Sequence, residues 1–150
     1  TSNLSFKFEQ NINGKIENGN CTIEYPKKMR CSYEKNNKVL VSNGKSLVIK
    51  TLSSYYRYPL EKTPLNLILD KNFLINKIYN LDEKIIDQSY INYTITENDN
   101  EIDIFFDLKT FNLIGWQTKD VYQNTALTLL YSILVNQEIK KQLFKLPAQN

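Results

Sequence analysis

The chain has 150 residues, 41% hydrophobic and 23% charged, which suits one soluble globular domain spanning 1–150 and leaves no room for two ordinary domains. Its 19 basic and 16 acidic residues give a net charge of +3; the lysines are scattered and only Arg30 and Arg57 are arginines, so no clustered nucleic-acid-binding face is expected. Histidine is absent, which excludes Ser-His-Asp and Cys-His catalysis and every histidine metal site, and apolar runs such as 73–75 are far too short to span a membrane.

From the N-terminus, Leu4, Phe6 and Phe8 alternate with Ser5, Lys7 and Glu9, the pattern of a half-buried strand. Asn13-Gly14 supplies a hairpin turn, and Asn18-Gly19-Asn20 reads as a further loop or bulge. Cys21, Ile23 and Tyr25 alternate with polar residues, Pro26-Lys27-Lys28 breaks the run, and Met29, Cys31 and Tyr33 resume it. If Ile23 faces Met29 across this hairpin, Cys21 faces Cys31, within reach of a disulfide. Two readings stay open: a bridge in an oxidising compartment, or two small buried hydrophobes.

Val39-Leu40-Val41, Asn43-Gly44 and Leu47-Val48-Ile49 form the clearest hairpin in the chain, and a strand follows over 55–60 with Tyr56 and Tyr58 on one side. Thr63-Pro64 predicts a helix start, with Thr63 as the cap, and Leu65, Leu67, Ile68 and Leu69 make that short helix apolar on most sides. A second short helix is expected over 73–81. Strands return over 90–95, over 102–108 with Asp103 and Asp107 on the polar face, over 113–116 and over 125–135. A last helical turn is expected over 139–143 and an extended end over 144–147. The pattern is antiparallel β with a short helical insert.

Catalytic candidates are thin. There is no phosphate loop, dinucleotide fingerprint, nucleophile elbow or Cys-x-x-Cys. Asp103 and Asp107 read as a solvated face, and Ser42, Ser46, Ser53 and Ser54 sit in turn-like settings without a base. We expect no enzyme, no cofactor and no metal. The bulky strand faces (Phe6, Phe8, Tyr25, Tyr33, Tyr56, Phe106, Trp116) either fill a closed core or line a cavity that one small helical insert covers as a lid.

Several stretches, in order, resemble the outer-membrane lipoprotein carrier family, LolA. Phe6-Lys7-Phe8-Glu9-Gln10 is similar to its opening strand. Tyr25-Pro26-Lys27-Lys28-Met29-Arg30-Cys31-Ser32-Tyr33 and Val39-Leu40-Val41-Ser42-Asn43-Gly44-Lys45-Ser46-Leu47 resemble its two central segments. Thr63-Pro64-Leu65-Asn66-Leu67-Ile68-Leu69 resembles its lid helix. Leu113-Ile114-Gly115-Trp116 with Asp120, Thr125 and Leu127 resembles its C-terminal motif, and Phe144-Lys145-Leu146-Pro147 its closing residues. The likeness runs over nearly the whole chain.

The resemblance implies a mainly β fold: a curved antiparallel sheet forming an unclosed β-barrel with a short helical lid. It implies a periplasmic, monomeric, non-enzymatic carrier that accepts lipoproteins from an inner-membrane lipoprotein-releasing ABC transporter. The carrier shields their acyl chains in transit and delivers them to an outer-membrane acceptor. Phe6, Phe8, Tyr33, Leu65, Ile68 and Leu69 would line the lipid cavity. Tyr25 stands where the family has an arginine implicated in lid closure, Cys31 replaces an aromatic and Asn124 a glycine. Only five residues precede Phe6, so the family's N-terminal helix is expected to be absent from this chain, as is a signal peptide. The alternative on the same fold is a periplasmic sensor of lipid or envelope stress, or a protein-interaction module.

Overall fold

A computed structural model describes residues 3–70, 84–87, 90–97, 100–107, 109, 113–119 and 124–149. Its eleven strands are β1 (Asn3–Ile12), β2 (Lys15–Glu24), β3 (Lys28–Tyr33), β4 (Val39–Asn43), β5 (Ser46–Lys50), β6 (Tyr55–Pro59), β7 (Lys84–Asp87), β8 (Tyr90–Glu97), β9 (Asn100–Asp107), β10 (Leu113–Lys119) and β11 (Thr125–Val135). They form one antiparallel sheet in the order β6-β5-β4-β3-β2-β1-β11-β10-β9-β8-β7. Two meanders, β1–β6 and β7–β11, are joined where β1 pairs with β11. The consecutive strands β6 and β7 are therefore the two free edges, and the barrel is not closed.

That topology places the insert. The chain leaves one edge at β6 and re-enters at the other. Its described part is a 3-10 turn (Leu60–Lys62) and one helix, α1 (Leu65–Ile68). Leu60, Ile68 and Leu69 are almost wholly buried in the same cluster as Leu4, Phe6, Phe8, Ile23 and Met29 from the sheet. The insert thus lies over the inward face as a small cap.

Alternation explains the core. Leu4, Phe6 and Phe8 are buried while Lys7 and Glu9 are exposed. The hairpin of β2 and β3 has the register in which Ile23 faces Met29 and Cys21 faces Cys31. Asn13 and Gly14 both adopt positive φ, as a two-residue hairpin turn requires.

Three local expectations change. Asn18, Gly19 and Asn20 are neither loop nor bulge; they run inside β2 in continuous register with β1. Gly19 is there because it faces Phe8: a Cβ would stand 2.8 Å from the Phe8 ring and would collide with the Ser32 carbonyl. Thr63 does not cap α1. Pro64, already at helical φ and ψ, is the cap residue, and the Thr63 hydroxyl donates backwards to the Leu60 carbonyl at 2.8 Å. Residues 139–143 form no helix. Gln142 takes φ +64°, which breaks helical continuation, and only single turns remain. The helix expected over 73–81 lies outside the described residues.

The C-terminal segment runs over the outward face. By register, Val41, Val48, Lys50 and Tyr55 share that face, and both valines are fully buried. Lys50 Nζ donates to the Ala148 carbonyl at 2.6 Å and Tyr55 OH to the Pro147 carbonyl at 3.0 Å, which ties the tail across it.

Candidate functional site

Between the sheet and α1 lies a cavity of about 180 Å³. Its walls come from both meanders: Phe8, Met29, Leu40 and Leu47 on one side, Trp116 on the other, with Leu65 and Ile68 above. An apolar cavity of about 150 Å³ stays dry and takes a benzene-sized guest. This one therefore accepts a ring or about six carbons of a chain.

Of the residues expected to line a lipid cavity, Phe8, Tyr33, Leu65 and Ile68 do line this one. Phe6 and Leu69 stand in the core cluster behind it, 3% and 0% exposed, and are not part of its wall. Cys21 and Cys31 also line it, joined as a disulfide across the β2–β3 hairpin.

The cap is fixed at the β2–β3 turn. Lys27 donates its backbone N–H to the Leu69 carbonyl at 2.9 Å, and Lys27 Nζ lies 3.8 Å from Asp70. Lys27 itself holds φ +66°, a left-handed conformation that a side chain disfavours by about 1–2 kcal/mol. The Lys27 carbonyl accepts from Ser42 Oγ at 2.6 Å, and Ser42 is fully buried. A serine on β4 thus braces the turn that carries the cap. Tyr25, at the position expected to contact the lid, packs part-buried against the core, and burial pushes its phenol up to about 12. The latch contacts from Lys27 begin two residues further along.

The cavity is apolar at the latch and polar at the other end. Register sets this gradient. One step beyond Phe8, the inward positions of β2, β1 and β11 are Glu17, Gln10 and Thr128, side by side. Gln10 Nε2 donates to Thr128 Oγ1 at 2.9 Å, and Tyr33 OH donates to Gln10 Oε1 at 3.2 Å. Lys38 Nζ sits 3.2 Å from Glu17 and 4.4 Å above the Tyr33 ring. Burial, and secondarily the Glu17 carboxylate, raise the Tyr33 phenol well above its ordinary value, so it remains a hydrogen-bond donor. Sequence reasoning missed Gln10 and Thr128. The signal for Gln10 was present, since it continues the alternation of Leu4, Phe6 and Phe8.

Asp103 and Asp107 do not face this cavity. Asp103 accepts from the Thr94 hydroxyl and Asp107 from the Lys109 backbone N–H. Among the described residues, no group of three metal-ligating side chains is found, and no helix is long and apolar enough to cross a membrane.

An open β-barrel around a capped apolar cavity defines a protein of the binding or carrier class. The family model for the outer membrane lipoprotein carrier protein LolA matches residues 1–147, and the chain belongs to that family. Among solved structures, it is similar to an uncharacterized conserved protein from Thermus thermophilus, with a TM-score of 0.56 and 5% identity, covering 99% of this chain and 87% of that one. A DUF1329 family protein from Desulfovibrio piger gives 0.51 and 7%, covering 97% and 90%. A LolA superfamily protein from Nitrosomonas europaea gives 0.46 and 6%, covering 95% and 88%. At such identities the likeness of the first two is one of fold, and nothing is rested on the third. No curated protein gives a significant match.

Proposed function

We propose that this chain is a periplasmic carrier that holds acyl chains of lipoproteins in its cavity during passage from the inner to the outer membrane. The observation that carries the reading is the capped apolar cavity in a chain of the LolA family. Each methylene removed from water contributes about 0.8 kcal/mol, so a protein cavity that competes with membrane needs mainly apolar wall and a cap that opens. Release needs only a better apolar site downstream and no covalent step, which accords with a chain that has no histidine. The Cys21–Cys31 bridge suits an oxidising compartment. An inner-membrane ABC transporter would load the carrier and an outer-membrane acceptor would unload it.

Native mass spectrometry of the protein purified from a periplasm tests this. Bound lipid or lipoprotein, released on extraction, is expected. If none co-purifies and no acylated peptide binds, the carrier reading is wrong.

A second reading, a periplasmic sensor or interaction module, draws on one observation. Leu129, Tyr131 and Leu134 of β11, opposite Glu9, Lys7 and Ser5 on the outward face, are 44–56% exposed, an apolar row that suits a protein partner. Charged substitutions at Leu129 and Tyr131 separate the two: a carrier keeps its affinity for an acyl chain, whereas a sensor loses its partner.

A further inference from the structure

The carrier reading says what fills the apolar end of the cavity. It says nothing of the polar end, where the side chains are too well organised to be leftover surface. The row Glu17, Gln10 and Thr128 lies across three adjacent strands on the inward face, and Thr118 lines the same end. Deeper along the same strands the inward positions are Phe8, then Cys21, then Ile23. A guest lying along the strands therefore meets apolar wall toward the Lys27 latch and polar side chains away from it.

The hydrogen-bond inventory of that end is unbalanced. Gln10 Oε1 accepts from Tyr33, and one of the two Gln10 N–H groups donates to Thr128. The second Gln10 N–H and the Thr128 hydroxyl hydrogen remain to be given away. Thr118 lines the cavity with a hydroxyl that has no partner among the described residues. Three donors are thus available to a guest, and an acceptor oxygen is what they fit.

Charge narrows the guest further. None of the described residues that line the cavity is charged, and Lys38 and Glu17 pair with each other at 3.2 Å outside its wall, both four-fifths buried. Among the described residues, a guest carboxylate would be desolvated there with no cation in the cavity wall to meet it. A neutral carbonyl has no such penalty and still takes the donors.

We infer that Gln10, Thr128 and Thr118 form a collar that reads the uncharged carbonyl of an acyl linkage, an ester or an amide, while the chain itself lies toward Phe8, Leu47 and Ile68. The inference rests on the carrier reading and deepens it. The cavity selects acyl groups in ester or amide linkage against free fatty acids, and it orients the chain with its linkage away from the Lys27 latch.

Displacement of a fluorescent apolar probe by lauric acid and by N-methyl lauramide, which share one chain, tests it at a pH where the acid is ionised. Wild-type protein is expected to bind the amide roughly tenfold more tightly than the acid, about the worth of one hydrogen bond to a neutral group. Gln10→Leu combined with Thr128→Val is expected to lose that preference, read as the ratio of the two displacement constants within the variant. Equal affinities in wild type, or a preference that survives in the double variant, would overturn the collar while leaving the carrier standing. Should the double variant fail to bind the probe, Thr118→Val alone is expected to reduce the preference several-fold, and an unchanged preference there overturns the collar as well. If wild type binds neither the probe nor either laurate derivative, the carrier reading falls and the collar with it.

Discussion

Gly19 shows how one residue shapes the cavity. It lets the Phe8 ring lie against β2, where Phe8 meets Tyr33 edge-on with ring centroids 5.0 Å apart. Gly19→Ala forces both the ring and the Ser32 carbonyl to move. A loss of about 1–3 kcal/mol is expected, measured by chemical denaturation, together with weaker binding of an apolar probe. In the sequence, Asn18-Gly19-Asn20 looked like punctuation because Gly between two Asn is the usual turn signal. What overrides it is the need of a bulky ring on the neighbouring strand, and a single sequence does not display neighbours. The tyrosines make a second prediction at this scale. Tyr25 has its folded pKa raised from 10.0 to about 12, and Tyr33 is raised further in the same direction. A raised acid pKa means the neutral form is the stable one in the fold. The contribution is fully present below about pH 10 and is lost as pH climbs through about 12 and beyond. In an alkaline titration followed by tyrosinate absorbance, Tyr25 and Tyr33 should ionise only with loss of the fold.

The latch belongs to the scale of elements, because it joins α1 to two hairpins. Ser42 is its brace: its hydroxyl donates to the Lys27 carbonyl and accepts from the Gly44 N–H at 3.2 Å. Ser42→Ala leaves both backbone groups without that partner in a partly buried setting. The variant should lose about 1–3 kcal/mol, and amide exchange at Leu69 and Asp70 should quicken more than exchange in β9. The ion pair of Lys27 with Asp70 is a third exposed, so Asp70→Asn should change stability by less than about 1 kcal/mol. The hairpins themselves were legible. The Cys21–Cys31 register followed from alternation about the Pro26 turn, and the disulfide there closes a short loop. Replacing both cysteines by alanine is expected to cost about 2–4 kcal/mol, measured by thermal or denaturant unfolding. Thr63 and Ser42 were not legible in their roles. A Thr before Pro looks like a cap, and a Ser beside Asn-Gly looks like turn surface; only the packing of the 3-10 turn and the β2–β3 turn gives each a different partner.

For the molecule as a whole, the mainly β class, the helical insert and the unclosed barrel could be read from strand alternation together with the ordered likeness to the LolA family. The strand order could not, since nothing local says that β1 pairs with β11 rather than closing on β6. That pairing decides the site. It puts Gln10 beside Thr128, and it brings Trp116 from the second meander opposite Leu47 from the first across one cavity. The cavity's size carries a consequence too. At about 180 Å³ it holds only part of an acyl chain, so the rest of a full chain lies outside this volume.

Trp116 is the sole tryptophan in the chain, is 5% exposed, and lines the cavity. Titration with a peptide whose acyl chain carries a bromine, a contact quencher of indole emission, therefore reports whether the chain enters this cavity. Saturable quenching of Trp116 at one peptide per protein is expected, relieved by an unbrominated acyl peptide and absent with the same peptide lacking its chain. Binding of the acyl peptide without any quenching would place the chain elsewhere and contradict the account.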